Sequence, residues 1–89
     1  MTPHPVTIET DVEADAAYFR ISDGLVKSTL PVGPEIMVDI DSKDEVVGIE
    51  LLSLKAHIPY TTLKERFGVG ASVVSELRTL SATIGTADH

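Results

Sequence analysis

The chain has 89 residues, a size at which a domain folds while burying a comparatively small fraction of its surface, so help from a partner chain is expected. Fourteen Asp and Glu against seven Lys and Arg give a net charge of −7, which opposes general binding to nucleic acid or to anionic membranes. With no cysteine, disulfides, thiolate metal sites and cysteine nucleophiles are excluded.

The opening MTPHPVTIET has neither the basic region nor the apolar run of a signal peptide, and no later segment approaches the length of a membrane span, so a cytoplasmic location is expected. Through Leu54, apolar residues recur at every second position and Asp, Gly and Pro fill the breaks, the pattern of short strands. Val6 and Ile8 begin the first strand, residues 11–15 form a turn, and Ala17, Phe19 and Ile21 then alternate with Tyr18 and Arg20. Asp23-Gly24 reads as a type I′ hairpin turn leading into a third strand over residues 25–30, because both residues tolerate the positive φ this turn requires. PVGPE, residues 31–35, breaks the ladder, since its two prolines lack backbone donors. In VDIDSKDEVVGIELL, Val38 and Ile40 alternate with Asp39 and Asp41. Beyond the turn, Val47, Ile49 and Leu51 alternate with Val46, Gly48 and Glu50, giving one buried and one wetter face. Ser42-Lys43-Asp44 fits a three-residue hairpin loop with Asp44 in the left-handed conformation.

After Leu54 the period lengthens to that of a helix. Thr62 and Glu65 have the spacing of a capping box, Leu63 and Phe67 share a face, and Gly68 is a helix stop. A second helix over residues 71–82 stacks Val73, Leu77, Leu80 and Ile84 at spacings of four, three and four. The expected fold is α+β in a single domain: a small antiparallel β-meander of four to five strands over residues 6–54, in sequential order, then a C-terminal helical pair over 60–84.

Asp39, Asp41 and Glu50 occupy the first, third and twelfth positions of a possible calcium loop, but Lys43 stands at the fifth, Asp44 replaces the glycine at the sixth, and the flanks read as strands. These carboxylates therefore read as a solvated hairpin face, with no metal and no cofactor expected. His4, His57 and His89 lack metal-ligand spacing, and His57, within the sheet-to-helix connection, has no nucleophile or orienting partner nearby, so no enzyme is expected. YTTLKERFGVGASVVSEL resembles a helix-turn-helix, with Leu63, Phe67, Val69, Val74 and Leu77 where that motif packs its helices and Gly68 at the turn. The would-be recognition helix offers one cation, Arg78, at its far end, and Lys64 replaces a small buried residue, so nucleic-acid binding is disfavoured.

EADAAYFRISDG followed by VDIDSKDEVVGIELL resembles the small bacterial family catalogued as domain of unknown function 2283. Its members look like E-A-D-A-hydrophobic-Y-hydrophobic-R, a threonine-bearing strand, and then V-D-hydrophobic-D with a later G-I-E-hydrophobic-L. The matching residues include Asp15, Tyr18, Arg20, Asp39, Asp41, Gly48, Ile49 and Glu50, and the resemblance spans residues 6–54; Asp44, where the family commonly has Gly, and the helical extension depart from it. The resemblance implies a small β-meander without established catalytic residues, discussed in connection with toxin–antitoxin gene pairs. From the residues alone, Gly48 lets a neighbouring backbone or large side chain approach, Asp15 and Asp41 accept from N–H groups at turns, and Arg20 pairs with Glu50 for well under about 1 kcal/mol.

Two strand edges and the stripe Val73, Leu77, Leu80 and Ile84 lead to the expectation of a homodimer with the C-terminal helices in its seam. Function is then expected to be that of a non-enzymatic, homo-oligomeric binding or assembly module, with a protein partner such as a toxin in view. The alternative is an antitoxin-like DNA-binding regulator using residues 60–80.

Overall fold

A computed structural model describes residues 6–83. Five strands, β1 (Thr7–Asp11), β2 (Ala16–Arg20), β3 (Ser28–Gly33), β4 (Ile36–Ile40) and β5 (Val46–Leu51), form one antiparallel sheet, followed by α1 (Tyr60–Phe67) and α2 (Ala71–Thr83). The fold is α+β, as the change of period near Leu54 requires.

The strand order is β1-β2-β5-β4-β3, not the sequential meander. Three hairpins form between chain neighbours, β1 with β2, β3 with β4 and β4 with β5, whereas β2 pairs with β5 and reaches β3 by a crossover, a Greek-key connection. The type I′ turn at Asp23-Gly24 does not form: neither residue has positive φ, and the third strand begins three residues later than the alternation suggests. The crossover is instead fastened to the sheet. Ile21 and Ser22 N–H both donate to the Val47 carbonyl, at 2.8 and 3.1 Å, and Lys27 N–H donates to the Ile40 carbonyl at 2.8 Å. Strand β3 runs through Pro31, tolerable because β3 is an edge, and the break falls at the Pro34-Glu35 turn.

At the β4–β5 hairpin, Asp44 has φ 63° and its N–H donates to the Asp41 carbonyl at 3.0 Å, as the loop length and residue choice predict. A register shift follows: Ile40 faces Val46, while Asp39 faces Gly48. This bulge reverses the expected alternation at the start of β5. Val46 joins the core with Ile49 and Leu51, and Val47, although fully buried, lies outside that cluster under the crossover.

The core is built from Phe19, Val38, Ile49 and Leu51 on one sheet face and Leu63, Val74 and Leu77 from the helices. Helix α1 starts at Tyr60 behind Pro59 with no side-chain cap, so Thr62 sits inside its first turn and the capping box is not used. Gly68 does stop the helix: at φ 69° it lets its own N–H and that of Val69 reach the Lys64 and Leu63 carbonyls. Tyr60 and Ser81 hydroxyls, 3.2 Å apart, and Arg78 over the Tyr60 ring at 4.4 Å join the start of α1 to α2.

The stripe expected in a dimer seam packs within the chain. Leu77 is 0 % exposed in the chain's own core, and Val73 and Leu80 are half-buried against it; Ile84 lies outside the described residues.

Candidate functional site

With the helices on one face, no described helix or strand covers the other face of the sheet, and the register fixes its layout. One row runs Thr7, Arg20, Gly48, Asp39, Thr29, and the next runs Glu9, Tyr18, Glu50, Met37, Pro31. Five residues singled out from the sequence, Tyr18, Arg20, Asp39, Gly48 and Glu50, fall in these two rows. Ile49 is the core-facing neighbour between Gly48 and Glu50.

Tyr18 on β2 leans diagonally across β5 and donates its hydroxyl to Asp39 Oδ2 on β4 at 2.8 Å. Thr29 Oγ1 on the edge strand β3 donates to Asp39 Oδ1 at 2.6 Å, so both carboxylate oxygens are engaged. Gly48 makes the crossing possible: a Cβ placed there would stand 1.8 Å from the Tyr18 hydroxyl oxygen and 2.3 Å from Cζ, inside the ring's own volume. Burial, and then the hydrogen bond and negative charge of Asp39, push the Tyr18 phenol up to about 12. At neutral pH the phenol keeps its proton and donates a hydrogen bond to Asp39. The Arg20–Glu50 pair expected across this face is replaced: Arg20 donates to the Ser22 carbonyl at 3.3 Å, and its guanidinium lies 5.7 Å from the Tyr18 ring centre.

The two turn carboxylates act on backbone. Asp41 Oδ1 accepts from Lys43 and Glu45 N–H at 2.8 and 3.0 Å, and these bonds hold its carboxyl below the ordinary range. Asp15, itself at φ 54°, accepts the Leu54 N–H at 3.1 Å and ties the first hairpin to the segment after β5. Asp39, Asp41 and Glu50, aligned in sequence like calcium ligands, are thus parted: one serves two hydroxyls, one serves its own loop, and Glu50 lies in the second row. Among the described residues no group of three or more His, Asp or Glu is placed to hold a metal ion.

Beside Tyr18 the face dips into a shallow hollow walled by Glu9, Asp11, Ala16 and Glu50, lying over β1, β2 and β5. Thr29 and Glu9 were not singled out from the sequence. Thr29 lies ten residues from its partner and Glu9 on a strand whose neighbour is known only from the register, so short-range spacing gives no sign of either. His57 is exposed in the connection to α1; His4 and His89 fall outside the described residues. No described helix is long and apolar enough to cross a membrane.

The family model described as protein of unknown function (DUF2283) matches residues 8–55, and the chain belongs to that family. The match covers the sheet and both rows of the open face from Ile8 onward, and stops before α1 and α2. No curated protein and no solved structure matches the chain.

Proposed function

We propose that this member of the family is a non-enzymatic binding module that holds a basic polypeptide partner on the uncovered face of its sheet. The observation that carries the reading is the asymmetry of the sheet: one face lies under two helices, and the other keeps an ordered Tyr18–Asp39–Thr29 network beside Glu9, Asp11 and Glu50. The Tyr18–Asp39–Thr29 network is already formed without a partner, which lowers the ordering cost of docking beside it. The carboxylates of this face favour a cationic partner and speed its approach. Self-association through the helices loses its main support with Leu77 fully covered inside the chain, and pairing of two acidic faces is opposed by charge.

The test is capture of partners from native lysate with three baits: the wild-type protein, the face variant Glu9→Lys/Glu50→Lys and the helix-surface variant Ser75→Lys. A basic protein retained by the first and third and lost by the second is the expected result; retention by all three, or acidic partners only, overturns it. One observation favours the DNA-binding alternative, the three-residue connection 68–70 between α1 and α2. Salt-dependent DNA binding abolished by Arg66→Ala/Arg78→Ala would establish it.

A further inference from the structure

We propose that the partner binds by adding a strand to β1, and that β1 selects for an extended segment with basic side chains at alternate positions. The proposal rests on the reading above and specifies where and in what conformation the partner sits.

The two edges of the sheet are unlike. The β3 edge is interrupted by Pro31 and by a register shift before Gly33, both of which obstruct further pairing. The β1 edge, Thr7–Asp11, has no proline and no irregularity over five paired positions, and among the described residues nothing pairs with its outer side. Alternate N–H and C=O groups along it therefore face solvent, a template for one more strand.

The side chains decide which strand. A second copy of β1 laid antiparallel and centred on Glu9 would set Glu9 against Glu9 and Thr7 against Asp11, and like charges directly opposite destabilise a pair. A strand with cations opposite Glu9 and Asp11 meets the reverse situation. It extends the row Glu9–Tyr18–Glu50, and the stem of a lysine or arginine can lie in the hollow beside Tyr18 with its charge near two carboxylates. Opposite Thr7 the row continues into Arg20, so that position takes a neutral or acidic residue. On the other face, Ile8 is half-buried against the core and takes an apolar neighbour. The carboxylates that keep two copies apart are thus the ones that recognise the partner.

The experiment uses a short fluorescent peptide, Lys-Val-Lys-Val-Thr, whose threonine answers Thr7, and two twins, N-methylated at both lysines or at both valines. In a paired strand only one of these sets of N–H groups points at β1. Anisotropy titration is expected to show the parent and one twin binding alike, with the other weakened at least about tenfold, the cost of losing charge-flanked backbone hydrogen bonds. Glu9→Lys/Asp11→Lys, checked for folding by circular dichroism, is expected to weaken the parent up to about fivefold per lost pair. Amide exchange of residues 7–11 is expected to slow on binding. If both twins bind like the parent, or both lose binding equally, strand addition is overturned while the basic-partner reading stands; if the parent does not bind at all, both fall.

Discussion

The two faces of this sheet are made from the same strands, yet they are held by different physics. On the covered face Phe19, Ile49, Val38 and Leu51 are fully buried against helical Leu63 and Leu77, and the stabilisation comes from apolar area removed from water. On the open face only one aromatic is half-buried, and order comes from two directed hydrogen bonds meeting at Asp39. The first kind of order tolerates approximate shape; the second needs a named atom at a named place. Truncations should therefore be costly on the covered face, whereas on the open face the costs should depend on geometry more than on size.

The largest effect is expected where burial is complete. Phe19→Ala and Leu77→Ala should each lose about 3–5 kcal/mol in urea unfolding, enough to leave a domain of this size marginal. A dimer that merely dissociates in Leu77→Ala, with its monomers still folded, would show instead that the stripe serves a seam.

Gly48→Ala comes next, because one methyl collides with the Tyr18 ring; a loss of about 1–3 kcal/mol is expected. The double variant with Tyr18→Ala should recover most of that loss, and a strictly additive double-mutant cycle would mean the crowding is relieved elsewhere.

Smaller still is Tyr18→Phe, which removes one hydrogen bond to a charged but half-exposed partner and should cost about 1 kcal/mol. It also sharpens the pH dependence. Since folding raises the Tyr18 phenol from 10.0 to about 12, its contribution is complete below pH 10 and disappears as pH rises through 12. Wild-type stability should fall more steeply than that of Tyr18→Phe across that interval. Least affected should be Arg20→Ala and Glu50→Gln, each within about 0.5 kcal/mol by thermal unfolding, as the lack of a direct ion pair between them implies.

Much of the covered face was legible from residues alone. Period two up to Leu54 and a helical period after it set the class; loop length and residue type mark Asp44 as a left-handed position, and residue type marks Gly68 as a helix stop. Gly48 was read as an approach point, and Tyr18 is the group that approaches. These are properties of a few adjacent residues, set by backbone sterics and by which side chains avoid water. What only the tertiary structure decided is which segments meet. Asp23-Gly24 has the chemistry of a tight turn, but β2 pairs with β5, whose Ile49, Glu50 and Leu51 sit opposite Phe19, Tyr18 and Ala17, and the local preference gives way. The same choice brings Tyr18 within reach of Asp39, twenty-one residues away. The bulge turns Val46 inward, into the same core cluster as Leu77. Pairings of this kind depend on surfaces that exist only once the hairpins have formed, so no short stretch of sequence contains them.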